Sequence, residues 1–330
     1  MVAKRKYLMA NLVYGQPYTQ LFLDNQIKSL LDPTNLPALA KDYELQFILF
    51  TDDETFPNVT RHPAFIALSR ICRTDIVKLN WPPDADRFNS RYALLVDMFK
   101  RVLNEAFARE AYATSVWVAD LVFAKECLPK LMSRIELGHD AVFNVPIRGA
   151  ADFINLPLSQ MQGAPTAMEL FDFTYRALHH LWVASHWDAP LFTRMPYSML
   201  WNSYSGLIAH NFGITPIIFR PLPEMKNVKG VIDADVPSFC KNPYWATDWV
   251  DAPVAGVEPL SNGHYPPFNQ HRASIDYVVK WAPKGTQPCQ VDYLDKPLFY
   301  PSKRAIANDG LIAAAQGIAN EIQLRLREGK

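Results

Sequence analysis

Cysteine, net charge and long apolar runs are all scarce in this sequence. Its four cysteines lie far apart and form no Cys-x-x-Cys pair, which argues against a zinc ribbon or a disulfide framework and favours a reducing cytoplasm. Lysine plus arginine equals aspartate plus glutamate at 33 each, so no overall positive charge favours a nucleic acid partner. No stretch approaches the ~20 apolar residues of a membrane-spanning helix. We therefore expect a soluble, cytoplasmic protein that binds no nucleic acid.

Three signature motifs of nucleotide-binding and hydrolytic enzymes are absent as well. The sequence has no Gly-x-Gly-x-x-Gly after its first predicted strand, no Gly-x-x-x-x-Gly-Lys-Ser/Thr and no Gly-x-Ser-x-Gly. These absences argue against a Rossmann dehydrogenase, a P-loop enzyme and an α/β-hydrolase. A nucleotide-binding protein with this sequence must hold phosphate groups by other means, commonly through a divalent cation on a carboxylate.

The sequence does contain enough apolar side chains for a large core, at 49% of 330 residues. In the first half, short apolar runs alternate with stretches of helical periodicity, which predicts an α/β fold with helices flanking a sheet. Strands are predicted at residues 7–13, 45–50, 75–79, 115–123 and 141–147, and helices at 17–31, 64–69 and 91–110.

The second half has a different character, because most of the 26 prolines lie there among aromatic residues. We predict a loop-rich region that ends in an amphipathic helix. Within it the pattern favours a helix at 166–182 and strands or short buried elements at 198–210, 214–219, 229–232 and 275–281. The change divides the chain into residues 1–150 and 151–330.

Ligands of open α/β sheets bind at the carboxyl ends of the strands, so the residues at those ends are the first candidates. The predicted strands deliver Asn11, Tyr14, Gly15, Thr51, Asp52 and Asp120 to that edge.

Seven short motifs follow one another along about the first three quarters of the chain. They are VYGQPY (residues 13–18), DPTNLPAL (32–39), FILFTDD (47–53), WVADLVF (117–123), GHDAVFNVPIR (138–148), GLIAH (206–210) and GVIDAD (230–235). In this order they resemble bacterial glycosyltransferase-like proteins of the GT-A type. The resemblance implies a Rossmann-type mixed sheet, with a donor-binding half at 1–150 and an acceptor-binding half at 151–330.

The resemblance also implies an activity, the transfer of a hexose-like sugar from a nucleotide diphosphate donor to a saccharide or lipid-linked acceptor, as in polysaccharide biosynthesis. It implies that the six residues at the strand ends contact the donor, and that Asp120 belongs to a metal-binding Asp-x-Asp motif for Mn²⁺ or Mg²⁺. The sequence departs from the motif, because Val122 stands where a second aspartate is expected. Metal dependence is therefore open, and Lys125 or Arg148 is an alternative source of positive charge for the diphosphate.

Asp233, Asp235 and His210 are the candidates for catalysis. The two aspartates are one residue apart, so on an extended strand both face the same side, and their repulsion favours a bound cation or a role as general base. On that argument Asp235 is a second candidate metal ligand. His210 closes an apolar segment and is suited to act as a base or to contact a diphosphate.

Each candidate also has a structural interpretation. Asp120 is equally suited to cap a helix, Asp52 to lie in a solvated loop or to cap a short helix, and Asp233 with Asp235 to lie in an exposed turn. His210 is suited to the core, and Arg148 to a surface ion pair.

Two other functions stay open. One is a non-catalytic nucleotide- or glycan-binding module that keeps the sheet without the metal motif. The other is a zinc hydrolase that uses His179, His186 and Asp188, although zinc sites on helices favour spacings of three or four rather than seven. Peripheral membrane association through the last helix, and a homo-oligomer, are also left open by the sequence.

Overall fold

The computed structural model describes residues 3–79, 87–262, 268–306 and 308–329. The strands, in chain order, are β1 (Arg5–Val13), β2 (Tyr43–Thr51), β3 (Arg73–Lys78), β4 (Ala113–Val118), β5 (Leu121–Phe123), β6 (Ala141–Asn144), β7 (Ile147–Ala150), β8 (Ser198–Ser203), β9 (Gly206–Asn211), β10 (Thr215–Phe219), β11 (Tyr244–Trp245), β12 (Val254–Glu258) and β13 (Leu298–Tyr300). The helices are α1 (Gln16–Leu21), α2 (Ile27–Leu30), α3 (Leu36–Leu39), α4 (Phe56–Thr60), α5 (Pro63–Ile71), α6 (Arg87–Ala108), α7 (Cys127–Glu136), α8 (Ala151–Gln160), α9 (Ala167–Arg176), α10 (His180–Val183), α11 (Ile232–Phe239), α12 (Ile275–Gly285), α13 (Pro288–Val291) and α14 (Asp309–Glu328). A π-helical segment, Phe22–Gln26, joins α1 to α2.

The chain divides into two compact units. Unit 1 consists of Met1–Phe143, Asn155–Thr166 and Pro216–Tyr244. Unit 2 consists of Asn144–Ile154, Ala167–Thr215 and Trp245–Lys330. Unit 1 therefore takes two segments from the second half of the sequence, in addition to most of the first half.

Unit 1 is built on a seven-stranded sheet with the order β11-β6-β10-β4-β1-β2-β3. β1 pairs in parallel with β2 and with β4, and β2 pairs in parallel with β3, whereas β10 runs antiparallel to β4. Residues 7–13 of β1 are all buried, as expected for a central strand whose two faces are both covered, which explains why this strand is a continuous apolar run broken only by Asn11. The expected mixed α/β sheet is confirmed.

Helices cover both faces of this sheet. On one face, Phe22 of the π-helical segment stacks on Phe47 of β2, with ring centroids 6.4 Å apart. On the other face, Phe99 of α6 meets the edge of Phe219 of β10, with centroids 6.2 Å apart. Alternate side chains of a strand point to opposite faces, so each buried strand supplies apolar contacts to both helix layers.

Unit 2 contains an antiparallel sheet with the order β13-β9-β8 and a parallel pair formed by β7 and β12. Met199, Trp201 and Ile208 lie on one face of the antiparallel sheet and belong to an apolar cluster with buried residues of α12 and α14. Tyr300 lies in β13, where its ring meets the edge of Trp182 at 5.7 Å between centroids and its hydroxyl donates to the Val145 carbonyl at 2.6 Å.

Several predicted elements differ from the structure. The strand predicted at 115–123 is two strands, β4 and β5, with a turn at Ala119 and Asp120 that no glycine or proline marks. The helix predicted at 166–182 is likewise two helices, α9 and α10. The run at 275–281, taken as a strand or short buried element, lies in α12, where its apolar side chains pack on one helix face. The run at 229–232 leads into α11 and is not a strand.

Candidate functional site

The strand order of unit 1 reverses at β1. From β1 the chain passes to β2 and β3 on one side of the sheet, and it then returns to pair β4 with the other side of β1. Such a reversal opens a crevice between the loops at the carboxyl ends of the two strands, because one loop leads away in each direction. The loops at this point begin after Val13 and after Val118.

Gly15 gives the loop after β1 its shape. Its φ of 74° and ψ of 147° lie in a region that essentially only glycine adopts, and no heavy atom lies within 4 Å of where a Cβ would be. Its N–H donates to Thr55 Oγ1 at 3.2 Å, which ties this loop to the loop after β2. The backbone here is therefore fixed in place and also open to the approach of a ligand.

Asp52 and Thr51 shape the loop after β2. The Asp52 carboxylate, 3% exposed, accepts the Thr55 N–H at 2.8 Å, so it organises the turn before α4. The Thr51 side chain is fully buried, and its hydroxyl has no hydrogen-bond partner among the described residues. Asp52 therefore lies in a turn that its own carboxylate holds directly before α4, whereas Asp53 and Glu54 of the same loop are exposed.

Asp120 lies at the reversal itself. The last residue pair between β1 and β4 joins Leu12 to Val118, and two residues beyond it come Tyr14 and Asp120. Asp120 is 8% exposed and occupies the turn between β4 and β5, whereas Tyr14 is half-buried. The structure thus brings Tyr14, Gly15 and Asp120 to neighbouring ends of paired strands.

Asn11, by contrast, does not reach the edge. It is fully buried within β1, where its Nδ2 donates to Gln26 Oε1 at 2.6 Å. Its place in the network beneath the π-helical segment makes it a link between sheet and helix, so direct contact with a donor is not available to it in this structure.

Lys125 lies after β5, exposed to solvent, and its backbone N–H donates to the Pro165 carbonyl at 2.8 Å. Its charge acts on Asp32. Burial works to raise the pKa of Asp32, but hydrogen bonds from Thr34 and from the Ala164 N–H, together with the Lys125 charge, outweigh it and lower that pKa. Lys125, which the sequence suggests as a source of positive charge for the diphosphate, therefore interacts with the Asp32 carboxylate of unit 1.

Asp233 and Asp235 require a correction, because they lie in the first turn of α11 and not on a strand. Residues two apart on a helix point about 200° from each other, so the two carboxylates do not share a face. Asp235 Oδ2 accepts the N–H groups of Lys229 at 2.7 Å and Gly230 at 2.6 Å. The carboxylate stabilises the helix entry, which is the physical reason that the apolar run before it does not continue as a strand.

The described residues offer few groupings of side chains that could bind a divalent cation. Among the residues that the structure describes, no group of three or more His, Cys, Asp or Glu side chains is arranged to hold a metal ion. Within the described part of the chain, Asp120 and Asp235 therefore belong to no such group, and neither do His179 and His186.

Two candidates lie in unit 2. His210 is fully buried in β9, where its Nδ1 lies 2.8 Å from the Leu294 carbonyl and its ring meets the edge of Trp201. Burial lowers the pKa of His210 to about 4, against smaller opposing effects of that carbonyl and Asp295. Arg148 in β7 forms an ion pair with Glu258 of the neighbouring β12. These contacts match the core and ion-pair interpretations.

His179 is also a structural histidine of unit 2. It is fully buried, and its Nδ1 accepts the Leu181 N–H at 3.3 Å, which caps α10. Burial and the neighbouring His180 ring lower its pKa to about 4, while the Pro259 carbonyl and Asp152 oppose this and Arg148 adds to it.

Sequence reasoning missed three buried polar residues of unit 1, namely Gln26, Ser29 and Asn35. All three contact the segments on either side of the Asp120 turn. A signal was present, because Gln26 and Ser29 interrupt the buried face of a helix that otherwise presents Phe22, Ile27 and Leu30, and buried polar side chains are nearly always hydrogen-bonded.

No helix in the described residues combines the length and apolar character needed to cross a membrane.

Comparison with known proteins identifies no family for this chain. No family model matches the chain, and no curated protein matches it. Among the solved structures that match is the crystal structure of S. aureus TarS, a glycosyltransferase, at 12% sequence identity and a TM-score of 0.35. The match covers 97% of this chain and 43% of that chain, so this chain spans less than half the length of its structural neighbour. A likeness of this size assigns neither a fold family nor an activity.

Proposed function

We propose that unit 1 binds the nucleoside diphosphate part of a nucleotide sugar at the carboxyl edge of β1, β2 and β4, and that the protein is a glycosyltransferase. The observation that carries the proposal is the reversal of strand order between β1 and β4, with Gly15 open on one side and Asp120 on the other. The order of sequence motifs, which resembles GT-A-type proteins, supports the choice of a nucleotide sugar as ligand.

In this proposal each residue at the edge has a role that its geometry permits. Gly15 allows the nucleotide to approach the backbone closely, because no side chain intervenes. Asp120 accepts hydrogen bonds from hydroxyl groups of the ribose or the donor sugar, and the half-buried Tyr14 beside it supplies an aromatic surface. Thr51 and Asp52 hold the neighbouring loop in shape.

The transfer itself needs positive charge near the leaving diphosphate and a group that takes the acceptor proton. We do not assign the proton to His210, because the neutral ring is enclosed in the core of unit 2 and bonded to a carbonyl. Asp235 is likewise committed to two backbone N–H groups. Asp233, in the first turn of α11, is the remaining candidate base of the three that the sequence suggests.

A non-catalytic nucleotide-binding module is the second candidate. It is favoured by Val122 at the second position of the expected Asp-x-Asp motif and by the thin donor set for a metal among the described residues. This function shares the binding site with the first and differs in the absence of turnover.

The first prediction concerns the binding site and is tested with UDP, GDP, CDP and dTDP in thermal-shift and calorimetric titrations, each with and without Mg²⁺ or Mn²⁺. One nucleoside diphosphate is expected to raise the Tm of the wild type selectively, since a ligand that binds only the folded state stabilises it. Asp120→Asn is expected to weaken its binding at least about tenfold, because a hydrogen bond to a charged group contributes roughly 1.5–3 kcal/mol.

The matched control is Asp97→Asn on α6, where the exposed carboxylate pairs with Arg101 on the same helix. It should bind like the wild type. Absence of any shift with all four nucleotides would contradict the proposal. Release of the diphosphate from the matching nucleotide sugar then separates the two candidates, because a binding module shows affinity without turnover.

A further inference from the structure

Gln26 connects the two strands on either side of the strand-order reversal. Its side chain is fully buried at the end of the π-helical segment of unit 1. Its Nε2 donates to the carbonyl of Val118 in β4 at 2.9 Å, and its Oε1 accepts from Asn11 Nδ2 in β1 at 2.6 Å. One amide group therefore bridges β1 and β4 at the place where their loops part.

Ser29 makes a second contact from the same helix. It is 1% exposed, and its hydroxyl accepts the Phe123 N–H at 3.2 Å while donating to the Gln26 carbonyl at 2.7 Å. Val118 directly precedes the turn that contains Asp120, and Phe123 ends the short strand that follows it. The segment around Asp120 is thus held before and after the turn by side chains three residues apart on one helix.

The π-helical segment provides a reason for this arrangement. A π-helical turn contains an additional residue, which rotates the residues after it by about 100° relative to an uninterrupted α-helix. Gln26 ends this segment and Ser29 follows it, and both face the strands on either side of the turn, while Ile27 and Leu30 remain in the core. Such segments occur often at functional sites, where they direct a side chain that regular geometry would point elsewhere.

From these contacts we infer that Gln26 and Ser29 are positioning residues, which hold Asp120 at the place where it meets the nucleotide. The inference rests on the proposed function. It goes further by predicting that affinity for a nucleoside diphosphate depends on two side chains that are buried beneath the sheet edge and do not touch the ligand.

The test is a double-mutant cycle on the full chain, read by calorimetric titration of the nucleoside diphosphate that the panel selects. Gln26→Leu keeps the approximate volume and removes both hydrogen bonds, and it is expected to weaken binding about tenfold or more, because small displacements of a binding group are costly. In the Asp120→Asn background the same change should have little further effect, since residues that act through one another are not additive.

Thr114→Val is the matched control. Thr114 is also fully buried, lies in β4, and its hydroxyl has no hydrogen-bond partner among the described residues. This variant should bind like the wild type. Ser29→Ala repeats the cycle with a smaller change, so the inference stays testable if Gln26→Leu does not fold.

The outcomes separate the inference from the proposed function. If the wild type binds none of the four nucleotides, the proposed function fails, and the inference with it. If the wild type binds and folded Gln26→Leu or Ser29→Ala binds equally well, the inference alone is overturned. It is also overturned if the effects of Gln26→Leu and Asp120→Asn simply add, because Gln26 then does not act through Asp120.

Discussion

Replacing Asn35 with alanine is expected to lower the free energy of unfolding by about 2–5 kcal/mol, because two buried groups lose this partner and the Ala124 carbonyl loses one of two. Asn35 is fully buried, and its Nδ2 donates to the carbonyls of Ser29 at 2.9 Å and Ala124 at 3.0 Å. Its Oδ1 accepts the Leu128 N–H at 3.1 Å. A buried polar group without a partner costs roughly 1–3 kcal/mol, and alanine satisfies neither the Ser29 carbonyl nor the Leu128 N–H, whereas the Ala124 carbonyl keeps the Cys127 N–H at 3.2 Å.

Urea unfolding followed by far-UV circular dichroism measures this effect. Asn58→Ala, at an exposed position of α4 in the same unit, is the control and should change stability by no more than about 0.5 kcal/mol. A loss below about 1 kcal/mol for Asn35→Ala would show that the segment from Ala124 to Leu128 does not depend on this side chain.

Acid is expected to destabilise unit 2 between about pH 6.5 and pH 4. His179 and His210 have pKa values near 4 in the folded chain, chiefly because burial disfavours the charged ring, against an ordinary value of 6.5. Above pH 6.5 both rings are neutral whether the chain is folded or unfolded, so the full stability is present. As the pH falls, the two histidines bind protons in the unfolded chain but not in the folded chain. Each histidine therefore lowers the free energy of unfolding by about 3 kcal/mol by pH 4.

The measurement is the midpoint of urea unfolding at half-unit steps of pH. His210→Gln and His179→Gln should each reduce the change of the urea midpoint between pH 6.5 and pH 4, even if they lower stability at pH 7. His271→Gln, at an exposed position of the same unit, is the control. Equal pH dependence in the wild type and in the His210 and His179 variants would mean that neither ring is held neutral by burial.

The sequence predicts the central strands of unit 1 well, and for a physical reason. β1 and β2 are buried on both faces over most of their length, so each appears as a largely apolar run ended by turn residues, as at Gly15. Prediction fails where the break carries no such residue. The turn at Ala119 and Asp120 lies within one apolar stretch, so a single strand is predicted where β4 and β5 are separate.

The candidate site is predictable only in part. Gly15, which follows the end of β1, is predicted from strand assignment alone, whereas Asp120 lies inside the single strand predicted at 115–123 and its turn is found only in the structure. The geometry of Asp233 and Asp235 does not, because the carboxylate of Asp235 bonds to backbone groups of Lys229 and Gly230 and so favours a helix. Nor does the sequence reveal that Gln26 contacts both β1 and β4, since Gln26 lies within a π-helical segment that the regular helical spacing does not predict.

The position of β10 in the sheet has a consequence for the order of events during synthesis. β10 lies between β4 and β6, yet its residues follow those of β6 by about 70 positions. While the ribosome is still making the intervening chain, β4 has no neighbour on that side, and the Ser115 hydroxyl and Trp117 indole lack the Ile217 carbonyl to which both donate in the finished protein. A nascent chain that ends between β6 and β10 therefore exposes an open edge of β4, and open strand edges pair readily with other chains. We expect conditions that slow translation between residues 144 and 215 to increase aggregation of this protein in the cell.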